Sequence, residues 1–378
     1  MKKKSILVTG GAGFVGSHLV DTLVELGHDV TIFDNLEDQV HGGNTPDYLN
    51  RNARFIQGDV RDREILRDAM QGKQVIFHQA AAVGVGQSMY EIRKYADYNS
   101  TGGANLLDLV VNETSIRDTV EKIVVASSMS IYGEGQYLCE ECGIVYPKLR
   151  TTEQLQQKDW EIRCPHCDAL VEHMGTEEDK PLFPTSIYAI TKRDHEEMFL
   201  VTGRTYHIPT VALRYFNIYG TRQALSNPYT GVAAIFSSRI LNNAPPVIYE
   251  DGRQSRDFVH VSDIVQANVL AMEKSEADYE MFNVGTGINT SVKRVAELLI
   301  GNLKPGSGLE PVIENKFREG DIRHCYADIS KIQDLLGYAP RVRFEDGLSA
   351  LVEWVAKQKA DDGFERARKE LESRGLAN

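Results

Sequence analysis

The chain has 378 residues, of which 42% are hydrophobic, and a formal net charge of −12 at pH 7. This length suits two compact domains, or one large α/β unit with an appendage. The acidic balance argues against a nucleic-acid partner, and no apolar run reaches the roughly 18 residues that a membrane helix needs. The lysine-rich start has no cleavage site and runs directly into a glycine motif, so we expect a cytoplasmic protein.

The first 130 residues alternate between short apolar runs and segments of helical periodicity. Strands are predicted at 4–10, 29–35, 54–60, 74–80 and 122–128, and helices at 14–26, 62–70 and 90–111. Continuous apolar runs indicate buried parallel strands, and the helices between them form the crossovers. The pattern predicts an α/β fold with a Rossmann-like, doubly wound parallel sheet.

The alternation lapses between residues 135 and 172, a segment with few apolar residues and four of the five cysteines. It resumes with a helix at 186–206 and a strand at 211–217. Short strands at 246–250 and 281–285, with helices at 261–274, 291–300 and 344–357, then predict a smaller C-terminal α+β lobe. From residue 361 the tail predicts a charged, solvated helix. These boundaries divide the chain into a core at 1–135, an insertion at 136–172, the rest of the core at 173–220, a mainly substrate-binding lobe at 221–360, and a tail at 361–378.

A glycine-rich turn, TGGAGFVG at 9–16, lies where the first strand ends and the first helix begins. Gly10, Gly13 and Gly16 allow a tight turn and let the backbone approach a pyrophosphate. The helix N-terminus then offers free N–H groups to the phosphate charge. The strand–turn–helix context predicts a dinucleotide site at this turn.

Acidic residues end the second and third predicted strands. Asp34 has the position of a carboxylate that accepts hydrogen bonds from adenosine ribose hydroxyls and repels a 2′-phosphate. The next residues are Asn35 and Leu36 rather than an arginine, so we expect NAD and not NADP. Asp59 and Val60 either meet the adenine or form an ordinary turn.

The predicted helix at 186–206 carries a Tyr-x-x-x-Lys pair. Tyr188 and Lys192 share one face, because residues four apart on a helix lie above each other. A lysine ammonium beside a tyrosine favours the phenolate, so we expect the pKa of Tyr188 to fall toward neutrality, where the residue acts as a base. Such a pair usually marks a solvated helix face. Here Ser128 ends a predicted strand and a nucleotide-binding turn lies upstream, so the three residues indicate a catalytic site.

Further motifs follow in order along the chain. They are DN (34–35), GDV (58–60), HQAAAVGVGQS (78–88), NSTGGANLL (99–107), SSMSIYG (127–133), LRYFNIYG (213–220), DGRQSRDFVHV (251–261), FNVGTG (282–287) and REGDIRH (318–324). With the glycine turn and the Tyr188/Lys192 pair, this order resembles the extended short-chain dehydrogenase/reductases, in the branch that works on nucleotide sugars. The resemblance runs from residue 4 to about 358 and is broken only by the cysteine segment.

The resemblance implies a role for each matching residue. Ser128 and Tyr188 would hydrogen-bond the sugar oxygen that is oxidised, and Lys192 would hold the nicotinamide ribose. The implied cofactor-binding set is Gly10, Gly13, Phe14, Val15, Gly16, Asp34, Asn35, Asp59, Val60, Ala80, Ala81, Asn99, Tyr188 and Lys192. The implied substrate-binding set is Ser130, Asn217, Arg256, Arg318 and Asp321. Arg256 and Arg318 would clamp the pyrophosphate, for which a guanidinium is suited, although a surface salt bridge is the alternative for both.

Three reactions are plausible in such a family: 4-epimerisation, 4,6-dehydration and oxidative decarboxylation. Relatives that dehydrate carry Asp-Glu at the positions of Met129 and Ser130, and relatives that decarboxylate place a glutamate at Ser130. Neither residue supplies that carboxylate chemistry, so we expect a 4-epimerase. A UDP-glucose, UDP-GlcNAc or UDP-glucuronate 4-epimerase, a 4,6-dehydratase and a non-catalytic nucleotide-sugar-binding regulator stay open as alternatives. His195 is expected at the surface. The family also implies a homodimer formed through the helices at 90–111 and 186–206.

Two C-x-x-C pairs, Cys139/Cys142 and Cys164/Cys167, predict a closed structural zinc site in a zinc-ribbon-like loop. A redox dithiol pair and a relic without metal are the alternatives, and the seven acids against four Lys/Arg within 136–172 disfavour a nucleic-acid ribbon. We expect this loop to be too polar for a core of its own, so that metal ligation stabilises it. It begins next to the catalytic strand end, where covering the sugar pocket and serving assembly are both open roles. Its motifs resemble the branch assigned as dTDP-L-rhamnose 4-epimerases, which form dTDP-6-deoxy-L-talose.

Overall fold

The computed structural model describes residues 2–227, 229, 231–358 and 362–376. Its strands are β1 Ser5–Thr9, β2 Asp29–Asp34, β3 Arg54–Gln57, β4 Val75–His78, β5 Lys122–Ser128, β6 Gln136–Cys139, β7 Gly143–Val145, β8 Glu172–Met174, β9 Thr210–Tyr215, β10 Asn217–Tyr219, β11 Val247–Ile248, β12 Ser255–Arg256, β13 Phe258–His260, β14 Met281–Val284, β15 Thr290–Ser291, β16 Val312–Ile313 and β17 His324–Cys325. Its α-helices are α1 Phe14–Glu25, α2 Asp38–His41, α3 Arg63–Met70, α4 Val85–Ser88, α5 Ile92–Tyr95, α6 Gly102–Asn112, α7 Thr114–Arg117, α8 Thr152–Gln156, α9 Ile187–Tyr206, α10 Val232–Leu241, α11 Val261–Glu273, α12 Val292–Leu303, α13 Ser330–Leu336, α14 Phe344–Val355 and α15 Phe364–Ser373. Within the described ranges, no helix combines the length and apolarity needed to cross a membrane.

Seven parallel strands form the central sheet in the order β14-β9-β5-β4-β1-β2-β3. Alternate residues of a strand point to opposite faces, so Ile6 and Val8 of β1 pack with α1 and α11, while Leu7 packs with α3, α6 and α9. Buried helices therefore cover both faces of the sheet. The predicted α/β, Rossmann-like, doubly wound fold is confirmed.

The C-terminal lobe is built mainly from α10, α12 and α14. Phe236, Leu299 and Leu348, one from each helix, are buried in its separate hydrophobic core. Short parallel and antiparallel pairings accompany these helices, including β11 with β16 and β12 with β15 and β17. The predicted smaller α+β lobe is thus present beside the sheet.

The helix predicted at 90–111 is not one regular helix. It begins with α5, continues as a π-helical turn at Ala96–Thr101, and ends as α6. In the π turn, the carbonyl of Asn99 accepts a hydrogen bond from His195 Nε2. π turns of this kind often lie at functional sites.

The expectation that His195 lies at the surface was wrong, because its side chain is fully buried. Helix α9 turns one face toward β5 and α6, and His195 follows Lys192 by three residues on that face. Its ring lies 5.2 Å from the ring of His78. Burial lowers the pKa of His195 to about 3, so the imidazole is neutral.

The cysteine insertion, residues 136–172, is a small folded unit and not a coreless loop. Strands β7, β6 and β8 form an antiparallel sheet with Tyr137 opposite Val145 and Cys139 opposite Gly143. Tyr137, Val145 and Ile162 are buried together with two of the cysteines. The apolar residues are too sparse to form a periodic pattern, but antiparallel pairing brings them onto one face. The expectation of no core was therefore wrong.

The tail forms a helix, as predicted, but the expectation that this helix is solvated was wrong. Helix α15 buries Ala367 and Leu371, and Arg368 forms ion pairs with Glu314 and Glu372. Ala367 and Leu371 are four residues apart and therefore share one face of the helix. The predicted domain boundary falls between residues 360 and 361, and both of these residues lie outside the described ranges.

Candidate active site

A cavity of about 660 Å³ lies between the carboxyl edge of the central sheet and the C-terminal lobe. Its lining includes the glycine turn after β1, the ends of β2, β4 and β5, Arg256, Arg318 and residues of helix α15. The order of the sheet reverses around β1 and β4. Ligands of doubly wound sheets bind at this point, outside the carboxyl ends of the strands.

The glycine turn has no space for side chains at two positions. A Cβ atom on Gly10, which has φ 69°, would lie 2.7 Å from the backbone nitrogen of Ala80, and one on Gly16 would lie 2.1 Å from the Gly10 carbonyl oxygen. Gly13 is the N-cap of α1, so the first N–H groups of that helix follow it directly. All three glycines, with Phe14 and Val15, line the cavity. The turn therefore forms a cradle open to an anionic group.

Asp34 ends β2 at the cavity and is 8% exposed. Its Oδ2 accepts a hydrogen bond from the Ala12 N–H at 3.0 Å, and its Oδ1 accepts one from the Leu36 N–H at 2.9 Å. A carboxylate has about four lone-pair sites, so these two bonds orient the group and leave acceptor capacity toward the cavity.

Asp59 is already engaged within the protein. It accepts hydrogen bonds from the side chains of Asn35 and Arg61 at 2.9 and 2.7 Å. Burial alone would raise the pKa of Asp59, but the hydrogen bonds from Arg61 and Asn35 lower it to about 2. Asp59, Asn35 and Val60 line the cavity as a preorganised wall.

Asn99, predicted as a cofactor ligand, lies behind the cavity wall and not on it. Its Oδ1 accepts from the Ala82 N–H at 2.8 Å, and its Nδ2 donates to the Ala82 carbonyl at 3.1 Å and to Thr191 Oγ1 at 2.9 Å. Ala80, Ala81 and Ala82 line the cavity themselves. Asn99 therefore positions this alanine wall and makes no direct contact with the cavity.

Ser128, Tyr188 and Lys192 come together at the end of β5. The Lys192 ammonium donates to the Ala126 carbonyl at 2.9 Å, and burial lowers its pKa to about 8. Ser128 Oγ accepts from the hydroxyl of Ser130 at 3.0 Å.

The pKa of Tyr188 is raised and not lowered, contrary to the expectation from its spacing to Lys192. Burial is the main cause, and the neighbouring Ser128 hydroxyl offsets it only in part. Desolvation disfavours the charged phenolate, while the Lys192 ammonium is directed at a backbone carbonyl. Helical spacing predicts that the two residues share a face, but it does not predict how deeply they are buried.

The predicted substrate-binding residues lie around the rest of the cavity. Asn217 lines the cavity, and its buried Oδ1 has no hydrogen-bond partner among the described residues. Arg256 donates to the carbonyls of Ser255, Ile322 and Arg323. Arg318 donates to Asp321 Oδ2 at 2.9 Å. Both arginines are therefore oriented by the protein while they border the cavity.

Comparison with known proteins identifies the family of this chain. The sequence profile of the NAD dependent epimerase/dehydratase family matches residues 6–153, and that of GDP-mannose 4,6 dehydratase matches residues 170–351. The chain is 32% identical to a dTDP-L-rhamnose 4-epimerase of Burkholderia thailandensis over 94% of its own length and 96% of the relative. The chain belongs to the NAD-dependent epimerase/dehydratase family.

Solved structures of family members share the fold of this chain. A UDP-glucose 4-epimerase of Thermotoga maritima, solved with UDP-glucose, is 33% identical and has a TM-score of 0.74, with 93% of this chain and 99% of that chain covered. A UDP-glucose 4-epimerase of Thermus thermophilus, solved with NAD, is 27% identical with a TM-score of 0.72, and the match covers 94% and 100% of the two chains. Other family members that match are named as dTDP-glucose 4,6-dehydratases and a uronate decarboxylase.

The cavity fits the cofactor of this family. The glycine turn offers N–H groups where phosphates would lie, Asp34 retains acceptor capacity, and no side chain can fill the space at Gly10 or Gly16. The carboxylate at the end of β2 disfavours a 2′-phosphate. These features agree with NAD.

Several cavity residues escaped the sequence analysis of this family member. Tyr249, Glu250, Phe364, Arg368 and Leu371 all line the cavity. The last three belong to α15, whose alanine and leucine four residues apart are the one sequence signal of a buried face in an otherwise charged tail. Tyr249 and Glu250 follow a short strand and carry no motif.

The four cysteines of the insertion form a cluster away from the cavity lining. Their Sγ atoms all lie within 4.8 Å of one another, and those of Cys139 and Cys167 are 3.6 Å apart. Four thiolates at about 2.3 Å from a tetrahedral Zn²⁺ would be about 3.8 Å from each other. The residues present therefore fit a zinc ion with no further ligand position.

Proposed function

We propose that this protein is an NAD-dependent nucleotide-sugar 4-epimerase that interconverts dTDP-L-rhamnose and dTDP-6-deoxy-L-talose. The observation that carries the reaction type is the set of Ser128, Tyr188 and Lys192 at one end of the NAD cavity, without a carboxylate at positions 129 and 130. Dehydration and decarboxylation need such a group, whereas epimerisation at C4 does not. The similarity to a dTDP-L-rhamnose 4-epimerase supports the substrate.

In this proposal the chain's own residues handle one proton and hold one hydroxyl. The chemistry that NAD would supply when bound is reversible hydride transfer: C4 of the sugar is oxidised to a ketone, the keto sugar turns over, and the hydride returns to its opposite face. Tyr188 Oη would take the proton of the C4 hydroxyl as the hydride leaves, and would give it back on reduction. Ser128 Oγ would hold the same oxygen, and the Lys192 ammonium, one helical turn from Tyr188, would offset the cost of a buried phenolate.

We further propose a structural zinc in the insertion, bound by Cys139, Cys142, Cys164 and Cys167. Four thiolates leave no position for a catalytic water, and none of the four lines the cavity. Such a site requires reduced cysteines, so it supports a cytoplasmic location. We also propose a homodimer, formed through α5, α6 and α9.

The test uses dTDP-L-rhamnose with deuterium at C4 and the purified protein. We expect the talose product to retain the deuterium, with no net formation of NADH, because the hydride leaves and returns within one site. Loss of the label to solvent, with solvent hydrogen at C3 or C5, would contradict the proposal and favour a 3,5-epimerase or dehydratase route. Turnover of UDP-glucose in place of dTDP-L-rhamnose would retain the reaction but correct the substrate. Absence of turnover on every nucleotide sugar offered would favour the alternative of a non-catalytic, nucleotide-sugar-binding regulator.

A further inference from the structure

The cysteine insertion contacts the cavity wall through a part that contains no cysteine. Residues 146–162, here called the arm, connect the two C-x-x-C pairs and include α8. The arm packs against residues 316–323, here called the phosphate segment because it carries the predicted pyrophosphate ligand Arg318. At the exposed edge of this contact, Thr152 Oγ1 of the arm donates to Glu319 at 3.1 Å. The other contacts between the arm and the cavity wall each involve a buried side chain.

Arg150 is the central contact between the arm and the cavity wall. Its guanidinium donates to both carboxylate oxygens of Glu250, at 2.8 and 2.9 Å, and the side chains are 2% and 3% exposed. It also donates to the carbonyl of Asp321 at 3.1 Å. Glu250 and Asp321 both line the cavity, so one buried guanidinium joins two parts of its wall.

A second buried arginine extends this network through the phosphate segment. The Arg323 side chain is fully buried and pairs with Glu161 of the arm at 2.6 Å and with Glu250 at 3.0 Å. The buried Glu134, two residues before the insertion, accepts from the N–H groups of Arg323 and His324, both at 2.8 Å. Losing one partner of such a buried network leaves an uncompensated charge and displaces its neighbours.

An apolar contact joins the same two segments independently of charge. Leu155 and Trp160 of the arm are buried with Phe317 in a cluster of their own. Phe317 directly precedes Arg318, whose guanidinium lies 4.9 Å from the centroid of the Tyr249 ring. The arm therefore fixes the backbone from which Arg318 enters the cavity.

We propose that the insertion positions the phosphate segment for the diphosphate of the nucleotide sugar, with Arg150 as the positioning residue. This inference rests on the proposed function and extends it, because it assigns the insertion to substrate affinity and not to the hydride-transfer step. Ser128, Tyr188 and the glycine turn make none of the contacts described for the arm. Loss of Arg150 should therefore weaken the nucleotide sugar and leave NAD in place.

The test compares Arg150→Gln with the wild-type protein. We expect KM for the nucleotide sugar to rise on the order of tenfold, with kcat and bound NAD little changed, since displacement of a positioning group acts through geometry. Calorimetric titration with dTDP and with UDP should show the same loss of affinity without any turnover. Arg150→Lys should recover part of it, because a lysine retains the charge but not the bidentate fork.

Two further variants make the result decisive. Arg163→Gln removes an exposed arginine of the same insertion that pairs with Asp159, and should leave nucleotide affinity unchanged. Leu155→Ala opens the apolar contact at Phe317 and should lower nucleotide affinity even if Arg150→Gln does not fold. Equal nucleotide affinity of the wild type and the folded Arg150→Gln or Leu155→Ala variant would overturn this inference alone. A wild-type protein that binds neither nucleotide would overturn it together with the proposed function.

Discussion

Tyr188 is half-buried beside Ser128, and desolvation raises the pKa of its hydroxyl. Tyr188→Phe removes the proton acceptor and retains the packing of the ring, so folding and NAD content should be nearly unchanged. General base catalysis typically contributes about 10²- to 10⁴-fold, and kcat should fall by that order. Steady-state rates and the NAD released on denaturation measure both quantities. Tyr206→Phe, an exposed tyrosine of the same helix, is the matched control, and wild-type turnover in Tyr188→Phe would exclude the proposed base.

A buried lysine outside the cavity predicts a pH dependence of stability. Lys180 is 1% exposed and donates to the carbonyls of Tyr132 and Pro181. Burial lowers its pKa from the usual 10.5 to about 8, although Cys325 and Glu134 act to raise it. Between these two values the unfolded chain holds a proton that the folded chain has released, so this residue makes the folded state more stable as pH rises.

Lys180→Met removes that titration. From pH 8 upward, the free energy of unfolding of the wild type should rise relative to that of the variant. The difference between the two should change by at most about 1.4 kcal/mol per pH unit. Urea unfolding at a series of pH values measures the difference. Lys158→Met, at an exposed position, should show no such trend, and a constant difference for Lys180→Met would refute the lowered pKa.

Sequence patterns identify residues whose role depends on local spacing. The glycine turn, the position of Asp34 and the shared face of Tyr188 and Lys192 follow from the periods of strand and helix, and the structure places them together. Burial depends on elements that are distant in the chain. The raised pKa of Tyr188 and the buried position of His195 therefore could not be predicted from local sequence patterns. Asn99 lies in a π turn, and its amide forms hydrogen bonds with Ala82 of the alanine wall.

At the scale of elements, the cysteine cluster makes a prediction about one loop. Cys164→Ser should lower the zinc content from about one per chain and disorder the insertion, because metal binding and local folding are coupled. NAD content should stay mostly intact, since the cluster does not line the cavity. Elemental analysis and limited proteolysis of residues 136–174 measure the two effects.

The lone buried cysteine provides the control for that experiment. Cys325 packs in the main core, outside the four-cysteine cluster, so Cys325→Ser should keep its zinc. Zinc retained after loss of both Cys139 and Cys164 would show that the four-thiolate site is wrong.

Elements with strong periodicity were predictable, and elements stabilised by tertiary contacts were not. The strands of the central sheet and helices α1, α9 and α11 lie within a few residues of their predicted positions. The insertion lacks a period because its strands have only three or four residues, and its core forms across turns. Most residues of helix α15 are charged. Its buried face borders the cavity, which forms only when distant segments of the chain fold together.

At the scale of the whole molecule, exposed apolar side chains on α5 and α9 support the proposed homodimer. Ile190 and Val201, eleven residues apart on α9, are 49% and 61% exposed, and Ile92 on α5 is 51% exposed. Residues eleven apart on a helix lie on nearly the same face, since this spacing is close to three turns. Exposed apolar patches of this kind mark association sites, so we expect a homodimer.

Light scattering tests that expectation. The wild type should have twice the chain mass of 42.3 kDa, and Ile190→Glu combined with Val201→Glu should shift it toward the monomer. Ile288→Glu replaces an isoleucine that is 56% exposed elsewhere on the surface, and should leave the mass unchanged. A monomeric wild type at micromolar concentration would contradict the homodimer.

The antiparallel base of the insertion has a consequence for the entropy of chain closure. Strands β5 and β9 are neighbours in the sheet, with residues 129–209 between them, and the pairing of Gln136 with Met174 shortens this connection by nearly half. Closure cost grows only with the logarithm of loop length, so an unfolded insertion would cost the sheet about 0.5 kcal/mol more than a folded one. The entropic cost of melting the insertion is therefore small, and it is the buried contacts of Arg150 and Glu161 with Glu250 and Arg323 that should couple its unfolding to the cavity wall when zinc is withdrawn.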